Sequence, residues 1–110
     1  MIQNTEELRE FIIKCLEDKK AENISTIDLG DNNPLAKYLI LASGRSVKNV
    51  SAIADFVSFE VKNNSNLNAG IEGLNNAEWV LVDFGDIIVH VFHPEARDHF
   101  KLEELWNKKR

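Results

Sequence analysis

Apolar residues at Leu8, Phe11, Ile12, Cys15 and Leu16 recur in steps of three and four. That spacing predicts a helix from Thr5 to about Lys19, because positions so spaced share one helical face. Thr5 can cap its start, Glu6 and Glu7 suit the first turn, and Lys19 and Lys20 suit the end. Ile24–Leu29 reads as a short strand and Gly30-Asp31-Asn32-Asn33-Pro34 as a loop. Tyr38–Ala42 is a compact apolar run, expected to be a central strand. Ser43-Gly44-Arg45-Ser46 ends it, and Ser46 can cap a second helix to about Lys62. Val50, Ile53, Ala54, Val57 and Val61 form that helix's stripe, with Phe56 and Phe59 widening the buried arc. Asn63-Asn64-Ser65-Asn66 reads as a polar turn, and Leu67–Gly73 as a strand with Ala69 and Ile71 on one face. Asn75-Asn76 leads into a hairpin, and Pro94 opens a short helix to about Phe100. Leu102, Leu105 and Trp106 form a last apolar patch.

The hairpin, Glu78–Phe92, is rich in valine and isoleucine, which fit a pleated surface. Its reversal is Gly85-Asp86, with glycine first, as a type II′ turn requires. Pairing Phe84 with Ile87 sets Leu81 opposite His90 and Trp79 opposite Phe92. Alternation then gives two faces. Val80, Val82, Phe84, Ile87, Val89 and Val91 make an apolar face, read as core. Trp79, Leu81, Asp83, Ile88, His90 and Phe92 make the other, which mixes aromatic, carboxylate, imidazole and apolar groups. Two readings fit this second face: a docking surface, or a sheet buried on both sides with Asp83 and His90 at its rim. The element order predicts an α/β chain of mixed α+β character. It has a five-stranded mixed sheet, helices mainly on one face, and the second hairpin face open.

At 110 residues, 1–110 is expected to be a single domain. With 44% hydrophobic and 28% charged residues the composition is that of an ordinary globular chain. One cysteine forms no internal disulfide, which suits a reducing cytoplasm. No run is long enough to span a membrane, and the start does not read as a signal peptide. The net charge of −5 argues against broad phosphate-backbone or direct sequence-specific nucleic-acid binding and suits a basic partner.

Candidate chemistry is sparse. The Ser43–Ser46 turn between strand and helix could cradle a phosphate. A nucleotidyltransferase would add metal-binding carboxylates, and the candidates are Asp55, Asp83 and Asp86. Asp55 falls in a helix, and Asp83 and Asp86 point to opposite faces, so they do not converge on an ion. His90 and His93 diverge along a strand, His99 lies beyond Pro94, and no metal site is expected. Cys15 reads as a buried hydrophobe rather than a nucleophile, and Arg97 as a surface cation.

Glu72-Gly73, Glu78–Asp86 and Val89-His90-Val91-Phe92 together closely resemble the ribosomal silencing factor family, RsfS or Iojap. The resemblance extends to Ser43–Ser46, Ile53-Ala54-Asp55, Arg97, Leu102-Glu103 and Leu105-Trp106. Lys37, Asn49 and Phe100 depart from the family's common Asp, His and Tyr. The resemblance implies a non-enzymatic translation repressor with a nucleotidyltransferase-like topology and no cofactor. It implies binding to the large-subunit ribosomal protein numbered fourteen and a steric block on subunit joining when nutrients are scarce, and it allows a homodimer when free. The docking residues expected are those of the hairpin's second face, Trp79, Leu81, Asp83, Ile88, His90 and Phe92. The alternative is a nucleotidyltransferase-like enzyme or nucleotide binder.

Overall fold

A computed structural model describes residues 2–74, 78–93 and 95. The expected Asn75-Asn76 turn, the helix from Pro94, and Arg97, His99, Phe100, Leu102, Leu105 and Trp106 lie outside them.

The first helix, α1, is Thr5–Asp18, and Leu8, Ile12, Cys15 and Leu16 are its buried stripe. Its cap is Asn4 rather than Thr5: Asn4 Oδ1 accepts from the Glu7 N–H at 2.9 Å. Thr5 is the first helical residue, and its hydroxyl donates instead to Asp86 at 3.2 Å. Strand β1 is Glu22–Asp28 and β2 is Tyr38–Ser43, every residue of β2 being buried. Ser46 caps α2, accepting from Asn49 N–H at 3.0 Å.

Helix α2 spans Val47–Ser65, beyond the expected end, so Asn63–Ser65 is helix and not turn. The reason is local. Asn64 Nδ2 donates to the Glu60 carbonyl at 2.8 Å and Ser65 Oγ to the Val61 carbonyl at 2.6 Å, bonds that hold polar residues on the turn before them. Asn66 stops the helix in the left-handed region at φ 65°, its N–H returning to Lys62 O. Phe59 does not widen the buried arc. It lies 62% exposed, while Phe56 is half-buried.

Strands β3, Gly70–Leu74, β4, Trp79–Asp83, and β5, Ile87–Phe92, complete a five-stranded sheet of order β1-β2-β5-β4-β3. Only β2 and β5 run parallel; the other neighbours are antiparallel. The hairpin register is the expected one, with Trp79 opposite Phe92 and Leu81 opposite His90. Gly85 takes φ 90°, which a side chain at that position would resist. Both helices cover the face carrying Val80, Val82, Phe84, Ile87, Val89 and Val91, which with Tyr38, Ile40 and Ala42 forms the main core.

Candidate partner-binding face

On the sheet face away from the helices, strand register aligns one set of side chains. Leu39 and Leu41 stand beside Ile88 and His90, and Leu81 and Asp83 stand on the far side of that strand. Gly70 and Glu72 of β3 follow beside Asp83 and Leu81. A second, smaller apolar cluster forms here around Ile27, Leu39, Leu41, Ile88 and Phe92, with Trp79 and Leu81 partly buried against it.

The expected open face is therefore only half open. Phe92 is fully buried, and Ile88 and His90 keep 7% and 8% of their surface. Trp79 and Leu81 are half-buried, and Asp83 and Glu72 are exposed. In the sheet β5 lies at the centre, and β4 lies one strand from the edge. The accessible part of the six expected residues is thus Trp79, Leu81 and Asp83. Glu72 joins them through register alone. It was legible only as part of a motif, because nothing in its neighbourhood states which strand it would pair with.

Trp79, His90 and Phe92 hold one another. Trp79 and Phe92 stack at 5.2 Å between ring centres, and His90 and Phe92 at 5.9 Å. Trp79 Nε1–H donates to His90 Nδ1 at 3.0 Å, which requires that nitrogen to be unprotonated. Burial pushes the His90 imidazole down to about 4, so it is neutral at physiological pH. The indole is thereby fixed in orientation by a hydrogen bond and two rings, as an anchor at a docking surface should be.

The phosphate cradle considered above is filled by the chain itself. Asn49 Oδ1 accepts from the Arg45 N–H at 2.9 Å, and Ser46 Oγ accepts from the Asn49 N–H. A Cβ on Gly44 would meet Asn49 Oδ1, Val50 Cγ2 and Val50 N, each at 3.0 Å, so Gly44 is a packing requirement. The carboxylates do not converge: Asp83 Oδ1 accepts from the Gly85 N–H at 2.8 Å, Asp86 Oδ2 from the Thr5 hydroxyl, and Asp55 is exposed on α2. Among the described residues no group of three or more His, Cys, Asp or Glu could hold a metal ion. Cys15 is buried in the core, and burial raises its thiol to about 11. Lys37 binds Glu6 at 2.7 Å and Asp31 at 3.3 Å, tying α1 to the loop after β1. Its hydrogen bond to Glu6, then that to Asp31, pushes the Lys37 ammonium above its usual range, and Lys37 in turn holds Glu6 low.

Comparison with known proteins agrees on one family. The model described as "Ribosomal silencing factor during starvation" matches residues 2–110. A relative from Zymomonas mobilis, named ribosomal silencing factor RsfS, is 41% identical over 101 residues, covering 92% of this chain and 76% of that one. A crystal structure of a protein from Chromobacterium violaceum superposes with a TM-score of 0.88 at 36% identity, covering 96% of this chain and 88% of that one. A mouse relative, named "Mitochondrial assembly of ribosomal large subunit protein 1", is 27% identical over 100 residues, covering 88% of this chain and 44% of that one.

Proposed function

The chain belongs to the ribosomal silencing factor family, and from that premise we propose that it represses translation by docking on the large ribosomal subunit. The docked protein takes surface the small subunit needs, so the action is steric and requires no bond chemistry. Its partner there is the large-subunit protein numbered fourteen, and its compartment is the cytoplasm. No helix among the described residues is long and apolar enough to cross a membrane. Residues 1–110 act as one domain, which can also pair with itself when free.

The observation that carries this reading is the half-exposed Trp79, locked by His90 and Phe92 and set beside Leu81. An aromatic fixed before binding loses little freedom on docking. Glu72 and Asp83 on the same face give the patch an acidic border, which steers it toward a basic ribosomal protein. Ile88, His90 and Phe92 serve as the bed beneath this surface. The enzyme reading is weaker, because the turn at Gly44 is occupied by Asn49 and the three carboxylates diverge.

Co-sedimentation with purified large and small subunits tests the proposal. The wild type should pellet with large subunits alone and lower the yield of joined ribosomes. Trp79→Ala should weaken binding by roughly thirtyfold, the loss of about 2 kcal/mol expected of a central anchor. Glu72→Lys, at an exposed position, should slow association without lowering the melting temperature. Pelleting with neither subunit, or undiminished binding by both variants, would refute the assignment.

A further inference from the structure

Three residues at one end of the outer sheet face are buried more fully than their described neighbours explain. Leu41 and Phe92 are 0% exposed, and Ser43 is 1% exposed. Register groups them: Ser25 stands beside Leu41, Leu41 beside His90, and Ser43 beside Phe92. Neighbouring strands cover the flanks of a side chain that stands up from a sheet. Its tip closes only when something lies on the sheet. Neither helix does so, since among the described residues none of α1 or α2 belongs to this cluster. The loop after β1 gives the cluster Leu29 and Ala36, but these flank the Asp28–Tyr38 pair at the opposite end, near Ile88. Tyr38 is three residues short of Leu41 on β2, roughly 10 Å of strand. Trp79 stacks on Phe92 from the β4 side and is itself only half-buried.

The polar groups around this end are engaged as well. Ser25, Ser43, Glu78 and Trp79 each hold a polar or ring contact in addition to those named above. The burial is complete within a single chain, so the cover is neither a second copy nor a ribosomal partner. Residues 75–77 are too few to supply it: they join β3 to β4 and would have to cross β5 and return. The chain leaves the sheet at this same end, because Phe92 closes β5. Beyond Glu95 the sequence runs on through residues 96–110, with Leu102, Leu105 and Trp106 among them. From β5 to either edge is two strands, about 10 Å, which a segment of that length spans even when wound as a helix. We infer that residues 96–110 fold back over the outer sheet face and seat Leu102, Leu105 and Trp106 on Leu41 and Phe92.

One consequence rests on the docking reading above. The seated segment walls Trp79 on its β5 side, while Leu81, Asp83 and Glu72 stay open on the other. A ribosomal partner then meets Trp79 from the β3 side, and Leu41 and Phe92 are closed to it.

The chain has two tryptophans, so full-length Trp79→Phe leaves Trp106 as the reporter. Its emission should lie well to the blue of a hydrated indole, and acrylamide should quench it several-fold more slowly in the folded chain than in urea. In wild-type protein, NOE cross-peaks should join the Trp106 ring to the Leu41 methyls. They should be absent from an isotope-filtered spectrum of mixed labelled and unlabelled chains, which records only contacts between molecules. Leu105→Ala should lower the melting temperature by about 5 °C, and by less in a chain already carrying Leu41→Ala, because the two side chains touch. None of these readings needs a ribosome, so they stand or fall apart from the docking proposal. Trp106 quenched as fast in the folded chain as in urea, cross-peaks found only between molecules, or an undiminished effect of Leu105→Ala beside Leu41→Ala would each overturn the inference.

Discussion

His90 should make the fold acid-sensitive in a defined window. In the folded chain the imidazole is held down to about 4 by burial, against an ordinary value of 6.5 in the unfolded chain. Between these values the unfolded state binds a proton that the folded state refuses, so stability falls as pH falls. The loss begins as pH drops through 6.5 and levels off below about 4. From pH 7 to pH 5 a single group so shifted removes about 2 kcal/mol of folding free energy. Geometry gives the same sign independently: a proton on Nδ1 would displace the hydrogen bond from Trp79 Nε1.

Urea unfolding at pH 7, 6 and 5 measures the effect, with His90→Gln as the control. Glutamine retains an acceptor but no titrating group, so its stability should depend less on pH by about 2 kcal/mol over that interval. His93 and the carboxylates remain in both proteins and cancel in the comparison. A proton NMR titration should find the His90 ring unchanged from pH 7 to pH 5. Titration of that ring near 6.5, or equal pH slopes in the two proteins, would refute the reasoning.

The other expectations concern packing. Val89 is fully buried in the main core, so Val89→Ala should cost about 1–3 kcal/mol in urea unfolding while leaving the docking residues in place; an unchanged midpoint would contradict the assigned face. Gly44→Ala would bring a methyl within 3.0 Å of the Val50 nitrogen, whose N–H is bonded to Ser46 O at 2.8 Å, and should cost about 1–3 kcal/mol by overpacking the start of α2. Equal stability of that variant would show that the turn has room it should not have.

Local pattern carried the elements a long way. The stripes of α1 and α2 needed only the helical period, and Gly85 with its flanking valines fixed both the hairpin and its register. The errors arose where the partner of a side chain, near or far in sequence, decides. Asn64 and Ser65 look like turn formers, yet once a helix precedes them their side chains bond back to its carbonyls. Asn4 rather than Thr5 caps α1, and the Thr5 hydroxyl donates to Asp86, 81 residues away. Phe59 is expected beside the stripe, widening the buried arc, although its angle around the helix sets it opposite the core.

The half-closed outer face of the hairpin is a further case of the same kind. By sequence the two strands of the hairpin are equivalent, each giving three side chains to each face. Sheet order breaks that equivalence: β5 pairs on its other side with β2, in parallel, and so becomes central, while β4 pairs with the exposed β3. A parallel pairing between elements separated by α2, β3 and β4 leaves no signal in the hairpin itself. Its consequence is the layout of the proposed docking face. The buried strand supplies His90 and Phe92 as a fixed bed, the outer strand lays Trp79 and Leu81 on it, and β3 adds Glu72 at the border. On the proposed docking, changes at Ile88, His90 and Phe92 should act on binding through the position of Trp79, whereas changes at Leu81, Asp83 and Glu72 should act on the partner directly. The two groups should therefore separate in kinetics. A border charge should alter the association rate and its salt dependence, and a change in the bed should alter the dissociation rate together with stability.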